Sequence, residues 1–308
     1  MLARMTRRGW LLFAAMGVIW GLPYLLIKDA VAHLTPATLV FARTAIGSVL
    51  LLPLAVVRGQ LHRVLRAWVP LLVFTMAEII VPWWLLSDAE RHLTSSLSGL
   101  LVAAVPLAGM VIVRFLGSSE HLGRAQLLGL LLGVLGVGAV VGFDLGNASP
   151  LALGEMAVVV LCYAAGPQVL TRSLAHLPGI GVVFAALVVG AVLYAPLAAV
   201  QHPTVLPSGS VVVAVLGLGV VCTALAFVLF FELVTEVGPV RSTVITYVNP
   251  VVAVLLGVAV RHEPLSWGLL AGFLLILCGS VLATRRGRPA SPPGQLLAAP
   301  PRAARSQP

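Results

Sequence analysis

Ten runs of about 20 mostly apolar residues follow one another along this chain, and charge is kept largely to the breaks between them. The runs fall at about 9–27, 36–57, 68–86, 93–115, 123–142, 151–170, 179–200, 209–232, 240–260 and 265–284. A helix rises about 1.5 Å per residue, so each run is long enough for the ~30 Å hydrocarbon core of a bilayer. In lipid the backbone must satisfy its own hydrogen bonds, which makes helices the form such runs take. Pro36, Pro178 and Pro264 stand at helix starts, where a missing N–H costs little. With 60% hydrophobic residues, 9% charged residues and a mean hydropathy of +1.07, the 308 residues are not two soluble domains. The expected fold class is all-α: a polytopic membrane protein of ten transmembrane helices.

A duplication narrows this further. Glu120 and Glu263, Gly129 and Gly272, Gly136 and Gly279, and Pro53 and Pro196 are each 143 residues apart; Pro23 and Pro167, and Pro106 and Pro250, are 144 apart. A period of this length means two copies of a half-domain rather than a solenoid of short repeats. The expected organisation is a cytoplasmic N-terminus at 1–8, a first five-helix repeat at 9–142, a second at 151–284, and a disordered tail at 285–308. Five is odd, so the second copy inserts upside down relative to the first. Two inverted five-helix repeats are a transporter architecture, with the substrate site near the midplane between them.

Lysine and arginine set the orientation. With the N-terminus inside, Arg4, Arg7, Arg8, Arg58, Arg63, Arg66, Arg114, Arg124, Arg172, Arg241, Arg285, Arg286, Arg288, Arg302 and Arg305 are cytoplasmic. Only Lys28, Arg91 and Arg261 are outside, and Arg43 lies within a helix. Both termini are therefore expected in the cytoplasm. The formal charge of +9 comes from these helix-end residues and not from a basic surface interleaved with aromatics, so no nucleic-acid partner is expected. Ala30-Val31-Ala32 resembles a cleavage site, but the apolar run before it exceeds the 7–15 residues or so of a signal peptide; a retained first helix is expected. The tail is rich in Pro, Ala and Arg and cannot bury a core.

No enzyme or cofactor motif survives inspection. His262-Glu263 opens like a zinc-protease motif, but Ser266 stands where the second His belongs. There is no Walker A sequence. Cys162, Cys222 and Cys278 lie inside apolar runs without CxxC spacing, which reads as buried small side chains and not as a metal or disulfide framework.

The first helix and its sequel read Gly17-Val-Ile-Trp20-Gly21-Leu-Pro-Tyr24 through Lys28, then Pro36-Ala-Thr-Leu-Val-Phe-Ala-Arg43. Together with Gly238-Pro239, Asn249-Pro250, Glu263, Gly272 and Gly279, this resembles the EamA family of the drug/metabolite transporter superfamily over about 10–284. The family's Gly-Glu-Arg loop stands here as His262-Glu263-Pro264 and Ser119-Glu120-His121, without its Arg. The resemblance implies ten helices, a bacterial inner membrane, and transport of small metabolites or drugs, often outward. Two alternatives stay open: an importer on the same fold, and a non-transporting sensor or assembly component. Partners are then a small-molecule substrate and the bilayer, with proton coupling as a further reading.

Site candidates are the polar groups that a membrane helix does not carry for nothing. A charge at mid-helix costs about 2.5–3.5 kcal/mol on insertion scales. Arg43 and Glu78 sit at matching depth on the second and third helices, as an ion pair or in a substrate- or proton-binding role; their repeat counterparts are Ala186 and Val221. Ser95 and Ser98, and Ser242, Thr246 and Asn249, form one face each of the fourth and ninth helices. These hydroxyl faces either bond across helices or line a cavity. Trp20 and Tyr163 are repeat counterparts too deep for an interfacial belt; with Tyr24 and Gln168 they are candidates for a cavity wall. Trp83 and Trp84 are expected in the aromatic belt. Glu120 and Glu263 precede the fifth and tenth helices and are expected to meet those helices' dipoles. Gly129-x₃-Gly133 and Gly268-x₃-Gly272 suit close helix packing, within the chain or in a dimer.

Overall fold

The computed structural model describes residues 6–57, 61–115, 123–144, 149–203, 206–238, 242 and 244–284. Among them every element is helical. Seven helices are long and apolar enough to cross a membrane. These are α1 (Arg7–Ala30), α2 (Pro36–Val57), α3 (Trp68–His92), α4 (Ser95–Phe115), α6 (Pro150–Leu174), α7 (Gly179–Val200) and α8 (Gly209–Val237). Three more are α5 (Arg124–Asp144), α9 (Ile245–Arg261) and α10 (Trp267–Ala283). The expected tail, Glu120 and Arg241 lie outside the described residues.

Several helices are interrupted, and the interruptions follow from the sequence. α1 breaks over Trp20–Leu22, just ahead of Pro23, which cannot continue the hydrogen-bond ladder. α4 breaks at Ala103–Ala104, ahead of Pro106. α9 runs straight through Pro250. π-helical turns occupy Met76–Ile80 in α3 and Gly217–Leu225 in α8. The two overlap at the 143-residue offset, and such turns commonly mark functional positions.

Helices five and ten pack through glycine. A methyl group on Gly129 would meet the Gly279 carbonyl oxygen at 2.7 Å, and one on Gly136 would meet that of Gly272 at 2.8 Å. As α5 advances, its neighbour on α10 recedes, so the two run antiparallel. The pairs are also reciprocal, because Gly272 and Gly279 are the repeat counterparts of Gly129 and Gly136. Of the glycines whose spacing the sequence singled out, Gly129, Gly133 and Gly272 meet neighbours within the chain. The same exchange occurs between α2 and α7: Gly47 faces Leu187, and Gly190 faces Thr44. Gly17 and Gly21 of α1 face Val248 and Val252 of α9, a third close crossing.

Side-chain ties collect at the two ends. At one end, Arg8 pairs with Glu232 at 2.6 Å, and Thr6 donates to Glu236 at 2.6 Å, joining the start of α1 to the end of α8. At the other, the latch end, the close of α1, α3 and α9 meets the start of α4. Arg261 pairs there with Asp29, and Lys28 Nζ donates to the main-chain oxygens of Glu90 (2.5 Å) and Leu93 (2.7 Å).

Candidate functional site

Arg43 is 7% exposed in the interior of α2. Its Nε donates to Thr223 Oγ1 at 2.9 Å, across to the π turn of α8. Its guanidinium carbon stands 3.6 Å from the centre of the Trp83 ring. No ion pair joins Arg43 to Glu78 among the described residues; the expected pairing of these two gives way to a hydroxyl and an aromatic face. A guanidinium is planar and weakly hydrated, so a ring face and one neutral acceptor hold it where an ammonium would not be stable.

Tyr24 of α1 and Tyr163 of α6 are both within electrostatic reach of Arg43, and Tyr163 also of Glu78. Glu78 lies in the π turn of α3 against Gly166 of α6, and its Oε2 is buried with no hydrogen-bond partner among the described residues. A Cβ on Gly166 would meet the Glu78 carboxylate, so a larger residue there would make that side chain move. Four elements thus converge around Arg43: Tyr24, Trp83 and the half-buried Tyr163 lie about it, and the half-buried Glu78 lies on the Tyr163 side.

The other candidates are placed elsewhere. Ser95 does not line a cavity. It sits at the start of α4, where Glu263 Oε1 accepts from its amide (2.9 Å) and hydroxyl (2.8 Å). Glu263 Oε2 accepts likewise from Ser96, amide 2.9 Å and hydroxyl 2.6 Å. Glu263 therefore serves the N-terminus of α4 and not that of α10, which Ser266 caps through the amide of Leu269 at 3.1 Å. One carboxylate satisfies two of the donors that a helix start leaves open. Burial alone pushes the Glu263 carboxyl up, but the Ser96 and Ser95 donors outweigh it and hold the group below its ordinary value.

Ser98 is fully buried, and its Oγ has no partner among the described residues. Trp20 packs against Phe230 (centroids 5.0 Å apart) and Phe227 (6.0 Å) of α8, in an apolar cluster away from Arg43. Gln168 is half-buried on α6, and its main-chain oxygen takes a hydrogen bond from Thr171. Thr246 is half-buried on α9. Asn249, with its amide turned to donate, reaches the carbonyls of Ile245 (2.9 Å) and Gly17 (3.3 Å), so it ties α9 to α1. Trp83, expected in the interfacial belt, is instead buried beneath Arg43.

The sequence reading missed Thr223, Lys28 and Glu90. Thr223 had a signal, a hydroxyl in an otherwise apolar run. Glu90 and Lys28 are charges in the last turns of helices, where exposure is the usual expectation; only the fold buries Glu90.

The profile of the EamA-like transporter family matches residues 7–142 and again 152–285. The uncharacterized transporter YvbV of Bacillus subtilis is 26% identical over 90% of this chain and 92% of its own length. The uncharacterized inner membrane transporter YedA of Escherichia coli K12 is 27% identical over 82% of each. A solved crystal structure superposes with a TM-score of 0.64 at 24% identity, covering 90% of this chain and 96% of the other, a likeness of fold. With both of its halves matched, this chain belongs to the EamA-like transporter family.

Proposed function

We propose that the protein is a secondary active transporter that exports small organic metabolites or drugs across the inner membrane by alternating access. Its ten helices form two inverted five-helix repeats. The reciprocal contacts of α5 with α10 and of α2 with α7 support this, since a two-fold axis in the membrane plane produces such exchanged pairs. The inner-membrane placement takes its support from the YedA relative and from the run of apolar helices. The bias of basic residues puts both termini inside and the latch end outside.

One observation carries the reading. A buried guanidinium is held by a hydroxyl and a ring face, with no carboxylate partner among the described residues. That is an unsatisfied charge waiting for a counter-ion, and an intramembrane charge of this kind marks a substrate path. An acidic group of the solute meets Arg43, the rings of Tyr24, Tyr163 and Trp83 cover its apolar body, and Glu78 takes a cationic or donor group. Export is the direction that the family resemblance most often implies.

The test is flux. Purified protein in proteoliposomes is screened against a panel of labelled carboxylate-bearing and zwitterionic solutes. A saturable, competitor-sensitive flux that Arg43→Ala abolishes is the expected result. Flux that saturates equally well in Arg43→Ala sinks the site, and an absence of saturable flux for every solute sinks the transporter.

A further inference from the structure

We infer that Glu90 is a proton-binding site that governs the opening of the latch end, an inference that rests on the transport reading above. Glu90 lies in the last turn of α3 and is fully buried. Both of its carboxylate oxygens lack a hydrogen-bond partner among the described residues. Lys28 is beside it, yet its ammonium donates to the main-chain oxygens of Glu90 and Leu93. No ion pair joins Lys28 to the Glu90 carboxylate among the described residues. An ionised carboxylate would draw an ammonium so close at hand, because leaving it desolvated and unpaired costs several kcal/mol.

The charge balance points the same way. The charged and titratable groups within electrostatic reach of Glu90 are Lys28 and Asp29 from α1, Arg261 from α9, Glu263 from the loop after it, and the Tyr24 hydroxyl. Lys28 and Arg261 balance Asp29 and Glu263. A neutral Glu90 leaves this set of charges balanced around it, whereas an ionised one adds an uncompensated negative charge at its one fully buried member. The closed latch therefore holds Glu90 as the acid.

Opening the latch parts Glu263 from Ser95 and Ser96 and lets water reach the end of α3. The O–H bond of Glu90 then breaks and the proton passes to that water. The electron pair stays on the carboxylate, and Lys28 turns from the carbonyls to become its counter-ion. One proton is taken up again at each closure. Glu78, lying deep against Gly166, takes no part in this step.

The full-length protein in lipid nanodiscs tests it by two readouts. Infrared difference titration should show a carboxylic-acid carbonyl band that fades as pH rises, lost in Glu90→Gln and kept in Glu78→Gln. In a background with Cys162, Cys222 and Cys278 replaced by Ala, a Leu93→Cys reporter is labelled with an impermeant maleimide with and without Glu90→Gln. The thiolate is the reacting form in both, so its ionisation cancels in the ratio of the two rates at each pH, and that ratio should change through the Glu90 titration. A band unchanged by Glu90→Gln, or a rate ratio that stays constant with pH, overturns the inference. If that variant does not fold, Glu90→Asp replaces it, and an unshifted titration midpoint is the overturning result. Neither readout requires a solute. A titrating latch without saturable flux would fail the transport reading alone; saturable flux with a labelling-rate ratio that stays constant with pH would fail this inference alone.

Discussion

Arg43 Nε and Thr223 Oγ1 are 2.9 Å apart, and the same threonine hydroxyl donates its own proton to the Leu218 carbonyl at 2.8 Å. The π turn thus fixes the hydroxyl, and the hydroxyl fixes the guanidinium. Thr223→Val keeps the volume and removes both bonds. A hydrogen bond to a charged group contributes about 1.5–3 kcal/mol, so Thr223→Val should lower stability by about that much. In an Arg43→Met background the same change should cost much less, and Thr223→Ser should be close to neutral. Urea unfolding in a mild detergent, run as a double-mutant cycle, gives the coupling. A cost that is equal in both backgrounds would mean that Arg43 is held by something else.

Trp83 and Trp84 are neighbours with different surroundings. Trp83 is 5% exposed and faces the guanidinium at 3.6 Å, while Trp84 is only partly buried. A desolvated cation–π contact contributes about 2 kcal/mol. Trp83→Leu should therefore destabilise the protein well beyond Trp84→Leu, and Trp83→Phe should recover part of the loss by restoring a ring face. Differential scanning fluorimetry on the three variants ranks them.

At the latch end, the stability contributed by Glu263 depends on pH in a known direction. Its carboxyl is held below the ordinary value of 4.5 in the folded protein, by donors that outweigh its burial. A depressed acid contributes fully above its unfolded pKa, and the contribution is lost as pH falls through the folded one. The wild type should therefore lose stability below about pH 4.5 relative to Glu263→Gln, whose thermal stability should not change with pH on this account. At neutral pH the variant should be weaker by about 1–3 kcal/mol, because an amide NH₂ faces the Ser96 amide where an acceptor is needed. Thermal unfolding across that pH range checks both limbs.

Much of this fold was legible in the sequence because membrane helices write themselves as apolar runs. The ranges 36–57 and 179–200 match α2 and α7 to the residue. The far ends of α3 and α8 were drawn short. His92 and Val237 extend them beyond the apolar runs, since a helix continues past the hydrocarbon wherever packing and charged caps support it. At the site, Arg43, Glu78, Tyr24 and Tyr163 were found because a polar group in an apolar run is conspicuous. Their partners were not. Sequence depth put Arg43 beside Glu78, but the direction of a side chain around its helix depends on the local turn, and the π turn at Met76–Ile80 rotates Glu78 toward Gly166. Glu263 was placed on the helix that follows it, because proximity along the chain is all that a sequence offers; its acceptor oxygens instead reach 168 residues back to Ser95.

The α5–α10 crossing makes the sharpest contrast among the glycines. A Cβ on Gly136 would lie 2.7 Å from the Ile276 backbone nitrogen, and one on Gly279 would lie 2.6 Å from the Gly129 carbonyl. Both obstacles are main chain, so neither helix relieves the clash without moving away from the other. Gly138 is on the same helix as Gly136, and a Cβ there meets nothing within 4 Å. In a helix interior Ala is favoured over Gly by about 1 kcal/mol, whereas overpacking costs about 1–3 kcal/mol. Gly138→Ala should therefore raise the melting temperature in detergent, and Gly136→Ala and Gly279→Ala should lower it. Because the crossing is reciprocal, Gly129→Ala and Gly272→Ala should lower it by similar amounts, as no asymmetric packing of these two helices would require. If Gly136→Ala and Gly138→Ala melt alike, the two helices do not meet through these glycines.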